Sequence, residues 1–209
     1  MTNKGDLTAK QERSRATRKK LVASCLDLVD QRPFDQVSVA EIAKGAGVSV
    51  GNFYRRFSSK EGILPDLYEA YETRFAVYAS SFAAGGSTEA DSGVDPWDFL
   101  VGRIVTFMQD NRGLIQALHL HGRLHPEIVP PTAHDRRRFL YGLASTLFFS
   151  PDEDKNRQMG DVAVLVLVST LTERIVYPEH APAAAADVSI ADLSRELGRM
   201  LALYASEPQ

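Results

Sequence analysis

Two serines, a glycine and a set of apolar side chains between residues 38 and 57 are spaced for recognition chemistry rather than for bond-making. Ser38 can cap a short helix in which Val39, Ile42, Ala43 and Ala46 share a face, and Glu41 stands where it completes a capping box. Gly47 then breaks the chain, and Ser49 can cap a second short helix on which Phe53 and Phe57 lie one turn apart and face inward. Ala43, Val48 and Phe53 form an apolar triad that would hold the two helices together. A pair of this kind lays its second helix into the major groove of DNA. Charge points the same way: residues 1–60 carry 12 Lys/Arg against 6 Asp/Glu, net +6, whereas residues 61–209 carry 12 against 21, net -9. With a basic head on an acidic body, only the head should approach a polyanion.

Other chemistries have less to stand on. His121 and His125 are one turn apart and share a face, with His119 off that face and His134 in the next segment. Two imidazoles so placed can bind zinc, but a third ligand such as Glu127 or Asp135 would be needed. Polar residues near a helix end or pocket rim are the commoner explanation, so no metal and no cofactor are expected. There is no phosphate loop, no G-x-S-x-G, no H-E-x-x-H and no pair of cysteines. An enzyme is therefore not expected; a metal-dependent hydrolase built on residues 119–134 is the enzymatic rival, and a nonspecific nucleoid DNA-binding protein is the binding-class rival. Cys25, the single cysteine, falls among Leu21, Leu28 and Val29 at helical spacing, which reads as a small core residue. The N-terminus is charged without an apolar segment, and no apolar run reaches the roughly 18 residues of a membrane span. A cytoplasmic protein without membrane contact is expected.

The elements that must position the motif are helical throughout, so the expected fold class is all-α with about nine helices. The first helix covers residues 10–31 and stops at Arg32-Pro33. A capping box at residues 58–61 opens a long helix whose Leu64, Leu67, Tyr68, Tyr71, Phe75, Tyr78 and Phe82 mark one buried stripe; Pro65 predicts a bend near its start. Residues 84–95 read as a Gly/Ser/acidic linker, after which Asp95-Pro96 starts a helix with Trp97, Leu100, Ile104 and Phe107 inward. Helices at 113–124 and 132–149 follow. A capping box at residues 150–153 opens one that runs to Tyr177, and Ser189 caps the last. The domain boundary is expected at residue 60: a helix-turn-helix DNA-binding domain over 1–60, with its recognition helix at about 49–55, joined by the long fourth helix to a helical domain over 61–209.

The stretch VSVAEIAKGAGVSVGNFYRRFSSKEGIL resembles the signature of TetR-type repressors: a Ser-capped helix, an A-G-V-S turn, a G-x-x-Y recognition helix and an F-x-x-K-E helix start, in that order. The resemblance covers about 45 residues. It implies a DNA-binding transcriptional repressor that holds a palindromic double-stranded operator as a homodimer. Carried over by position, Val50, Asn52 and Arg55 would read base edges, since Asn pairs with adenine and Arg with guanine or a phosphate. Ser38, Ser49, Tyr54, Arg56 and Lys60 would hold phosphates, and Gly51 would let backbone and DNA come close. Lys10, Arg13, Arg15, Arg18, Lys19 and Lys20 would add sequence-independent affinity.

The last helix carries two nonpolar stripes, and the run over 162–171 is apolar on all sides; such helices need two partners. The resemblance implies pairing with their copies in a four-helix bundle, through Val164, Leu167, Val168, Leu171, Leu193, Leu197, Gly198 and Leu201. It also implies a small-molecule effector, of unknown identity and largely apolar, in the middle helices. Trp97, Phe107, Leu118, Phe139, Leu143, Phe148 and Leu165 are the candidate lining residues.

Overall fold

The computed structural model describes residues 4–85, 95–148, 152–178 and 187–206; the side chains of 4–10, 83–85 and 133–137 fall outside that description. So do most of the expected linker, the Ser150-Pro151 start of the eighth helix, and the side chains of Lys10, His134 and Asp135. Among the described residues the chain is all-α, with nine α-helices and no strand: α1 (Lys4–Val29), α2 (Val39–Gly45), α3 (Val50–Tyr54), α4 (Leu64–Gly85), α5 (Pro96–Asp110), α6 (Arg112–Leu124), α7 (Ala133–Ser145), α8 (Glu153–Leu171) and α9 (Ile190–Ser206). None of the described helices is long and apolar enough to cross a membrane.

The chain divides into two compact units, Met1–Tyr71 with Gly113–Pro130, and Glu72–Arg112 with Pro131–Gln209. The first unit thus reaches past residue 60. It takes in the opening turns of α4 and nearly all of α6, because Leu67, Tyr68, Leu114, Ala117 and Leu118 complete one apolar core with Leu21, Cys25 and Val29 of α1. Ile42, Phe53 and Phe57 close that core from the side of α2 and α3. Helices of seven and five residues are too short to persist alone. Phe53, wholly buried, and Ile42 attach them to the long helices. The Tyr68 hydroxyl donates to the Leu118 carbonyl at 3.0 Å, so α4 and α6 are joined by a buried polar contact as well.

No bend is needed at Pro65. A 3-10 turn, Glu61–Ile63, precedes α4, which begins at Leu64. Pro65 therefore falls in the first helical turn, where its missing N–H would have had no partner. The same turn is held to α1 by a two-pronged contact, Arg18 Nε to Asp66 Oδ1 at 2.5 Å and Nη2 to Oδ2 at 2.7 Å.

In the second unit, α5 buries Trp97, Leu100, Val101, Ile104, Val105 and Met108, and packs against α9; α7 packs against α8. Asp95 caps α5 by accepting from Trp97 N at 2.8 Å, with Pro96 at the first helical position. Asp152 caps α8 by accepting from the N–H groups of Asp154 and Lys155. The apolar run at 162–168 lies inside α8, and the chain continues from it through a π-helical turn, Thr172–Val176.

Candidate nucleic-acid interface

Gly47 sets the angle between α2 and α3. Its φ of 68° is in the left-handed region, which glycine enters at no steric cost, and it is the one described residue with a positive φ. Val48 N donates to Ala43 O at 2.9 Å and Gly47 N to Lys44 O at 3.0 Å, so the turn also satisfies the last carbonyls of α2. The entry to α2 is a full capping box: Glu41 N donates to Ser38 Oγ, and the Glu41 carboxylate accepts from Ser38 N at 3.0 Å and Ser38 Oγ at 2.7 Å. Those bonds, and then the guanidinium of Arg32, hold the Glu41 carboxyl down to about 2. This contribution to stability is present above the ordinary carboxylate range and is lost as pH falls through about 2.

Ser49 caps α3 by accepting from Asn52 N at 3.3 Å, and it accepts from Asn52 Nδ2 at the same distance. The cap leaves Asn52 Oδ1 and one amide proton available to a base edge. Phe53 turns inward, stacked at 5.0 Å on Phe57, and anchors one side of α3. The opposite side stands open: Val50 is 41 % exposed and Tyr54 54 %, with Ser49, Gly51 and Arg55 exposed beside them. An apolar side chain, a phenol, an amide and a guanidinium on one open helix face give donors, an acceptor and a methyl-sized contact. That is the set that base edges and phosphates require.

Three basic residues have other tasks. Lys60 Nζ donates to the carbonyls of Phe34, Asp35 and Val37 at 3.0, 3.2 and 3.1 Å and lies 4.7 Å from the centre of the Phe34 ring. All three ammonium protons are engaged. Lys60, expected from sequence at a phosphate, here fastens the start of α4 to the turn between α1 and α2. Arg56 donates to Asn52 O at 2.9 Å and Ser14 O at 3.3 Å, which ties the end of α3 to α1. Arg18, placed with the basic arm by sequence, is held by Asp66 and lies over Phe57. Ser38 remains exposed at the α2 cap, and of the two arginines that follow α3 only Arg55 makes no ion pair or side-chain hydrogen bond among the described residues.

Sequence reasoning missed His121. Its side chain is buried inside the first unit, edge-on to Phe34 at 5.0 Å, with Nε2 3.2 Å from Asp35 Oδ1. A helical spacing to His125 gave no hint of a partner 86 residues away in sequence, across the turn Phe34–Gln36. His125 faces out, with Nδ1 3.3 Å from Glu127. Among the described residues no three metal-ligating side chains stand together.

The candidate effector residues do not form one group. Phe107 and Phe139 both touch Phe75, at 5.8 Å each. Trp97 and Phe148 form a separate pair at 5.1 Å, with Tyr204 behind. Leu118 belongs to the core of the first unit, Leu143 is half-buried on α7, and Leu165 is 60 % exposed. The candidate dimer residues divide as well. Val164, Leu167, Leu171, Leu197, Gly198 and Leu201 are buried within their own unit, and only Val168 and Leu193 are half-open. At Gly198 α9 passes close to α5: a Cβ there would displace the exposed Asp98 carboxylate and lie 3.2 Å from Asp98 Cα. The apolar side chains open on these helices are instead Val162, Leu165 and Val166 of α8, and Met200 and Leu203 of α9. A period-3.6 pattern shows that a helix has two apolar faces without telling which one its own fold consumes.

The family model described as bacterial regulatory proteins, tetR family, matches residues 21–67. The regulator EthR of Mycobacterium tuberculosis is 41% identical over 49 residues, 23% of this chain and 23% of its own length. The uncharacterised HTH-type regulator YvdT of Bacillus subtilis is 32% identical over 50 residues, 24% of this chain and 26% of its own. The chain thus spans about a quarter of the length of the curated relatives it matches. Solved structures are similar over far more of it. A TetR-family regulator from Mesorhizobium loti superposes with a TM-score of 0.63 at 13% identity, over 92% of this chain and 96% of that one. The multidrug binding protein EbrR, solved with imidazole, gives 0.59 at 15% over 91% and 90%. FadR of Bacillus subtilis, solved with stearoyl-CoA, gives 0.57 at 17% over 91% and 99%. These likenesses carry the fold, and the match at 21–67 carries the helix-turn-helix built on Ser38, Gly47, Ser49 and Phe53. With both in place, residues 21–67 are similar to the helix-turn-helix of the tetR family of bacterial regulatory proteins, and the chain shares its all-α fold with solved structures of regulators of that family.

Proposed function

We propose that the chain is a transcriptional repressor that grips a palindromic double-stranded operator as a homodimer, reads it with α3, and is released by a small, largely apolar effector. The observation that carries this reading is the open face of α3. Val50, Gly51, Asn52, Tyr54 and Arg55 stand on the outer side of a head in which Ser38, Glu41, Arg56, Lys60 and Arg18 are occupied in caps and clamps. In this reading the DNA-binding function lies in residues 1–60 and the effector and dimer functions in 61–209, and the protein works in the cytoplasm, where DNA is.

One such helix reaches only a few base pairs, so useful specificity calls for a second copy on a two-fold site. The open apolar side chains of α8 and α9, Leu165 and Leu203 foremost, supply the surface for that copy. The buried residues first read from sequence as the interface support it from beneath. Support for an effector comes from fold neighbours crystallised with small ligands, stearoyl-CoA in FadR and imidazole in EbrR.

Selection of bound duplexes from random DNA tests the reading. The expected product is an inverted repeat whose half-sites are spaced by about one helical turn, held at least roughly 10³-fold more tightly than random DNA. Binding that is steeply salt-dependent but enriches no sequence would support the nonspecific nucleoid alternative instead.

A further inference from the structure

The second unit contains a cluster of aromatic rings unlike the rest of its interior. Phe75, Tyr78 and Phe82 on α4 meet Phe99 and Phe107 on α5 and Phe139 on α7, with ring centres 4.6 to 6.0 Å apart. Phe75 is buried, but Tyr78, Phe82, Phe99, Phe107 and Phe139 are each only half-buried, whereas Trp97 and Phe148 in the same unit are almost wholly covered. Five aromatic side chains left half open around the buried Phe75 form a surface with unspent stacking area.

Arg103 lies on that surface. Its guanidinium carbon is 5.9, 5.1 and 5.8 Å from the ring centres of Tyr78, Phe82 and Phe99, and Nη2 donates to Ser81 Oγ. Four other guanidiniums among the described residues meet acids: Arg18 with Asp66, Arg32 with Glu41, Arg157 with Asp154, Arg195 with Asp192. Among the described residues Arg103 pairs with no carboxylate, although it is half-buried and more in need of one than the exposed Arg157 or Arg195. A partly desolvated guanidinium without a counter-ion is an open valence for an anion, and its fork matches a carboxylate in two parallel hydrogen bonds.

We infer that Arg103 and the surrounding rings form the effector site of the proposed regulator, and that the effector is an aromatic carboxylate. This rests on the reading above that an effector exists. The ligand's ring takes the place over Tyr78, Phe82 and Phe99 that the guanidinium now fills, and its carboxylate takes the guanidinium fork. The positive charge already on the rings repels an organic cation, which such a box would otherwise attract. The flexible stem of Arg103 permits the exchange without movement of α5.

Calorimetric titration of the full chain with benzoate and 2-naphthoate, against 2-naphthamide and a naphthylmethylammonium salt as neutral and cationic controls, tests this. At least one carboxylate should bind, more tightly than the amide, and the ammonium should not. Arg103→Gln should weaken carboxylate binding by about 10-fold or more, leaving amide binding within about twofold. Phe82→Ala should weaken both. Arg103→Lys, which keeps the charge but loses the fork, decides the matter should the Gln variant fail to fold: it should bind the carboxylate measurably less well. Absence of binding by either carboxylate at millimolar concentration, unchanged binding in the Arg103 variants, or preference for the ammonium overturns the inference. Sequence-selective DNA binding by the ligand-free protein is measured apart, so a failure here leaves the regulator reading standing, and the reverse.

Discussion

The two units differ in how completely each uses its own side chains. In the first, Phe53, Ile42, Leu67 and Leu114 are wholly buried, and most polar groups near α2 and α3 are engaged: Ser38 with Glu41, Lys60 with three carbonyls, Arg18 with Asp66. What stays open beside them includes one face of a five-residue helix, with Val50 and Tyr54 exposed on it. In the second unit, half-open rings surround an arginine that pairs with no carboxylate among the described residues, and α8 and α9 hold Leu165 and Leu203 at 60 % exposure each. The core beneath α2 and α3 is closed while the outer face of α3 is open; in the second unit the open side chains include rings and the apolar residues of α8 and α9. The rigidity of the one is what lets a short helix be placed, and the incompleteness of the other is what a ligand and a second copy can exploit.

The contrast can be broken first in the packing. Phe53→Ala should cost about 3–5 kcal/mol of stability in denaturant unfolding, because the side chain is fully enclosed and its removal leaves a cavity. Leu165→Ala, an equally apolar truncation on the open face of α8, should change the stability of the isolated chain by no more than about 0.5 kcal/mol. Comparable losses at the two positions would erase the distinction. A smaller effect is expected at Lys60. Lys60→Ala removes three hydrogen bonds from a charged donor and should cost about 1–3 kcal/mol, read in the same experiment. At temperatures where the variant stays folded, the salt dependence of its DNA binding should match the wild type. A slope reduced by about one would return Lys60 to the phosphate contacts.

Local signals account for what was legible from the residues. The capping pattern at Ser38 and Ser49, the turn at Gly47 and the inward Phe53 and Phe57 involve neighbours a few positions apart, and the structure forms each of them. The all-α architecture was legible for the same reason, since periodicity repeats within each helix. What escaped were tasks assigned by distant partners. Lys60 sits in a motif position that reads as a phosphate contact, yet the carbonyls that occupy it are 23 to 26 residues away. His121 finds Asp35 across an even longer separation, and Arg103 acquires its ring faces only when α4 and α5 meet. Pro65 was misjudged by a single turn: a helix start placed at Glu61 makes it a kink, and one placed at Leu64 makes it a normal first-turn residue.

The central claim, that the open face of α3 reads base edges, is tested most directly by titrating the selected operator and its single-base variants with the wild-type chain and with Asn52→Ala. The account predicts a loss of about 1–3 kcal/mol confined to one base pair in each half-site, with discrimination at the other positions intact. A uniform loss across all sequences, or none at all, would contradict it.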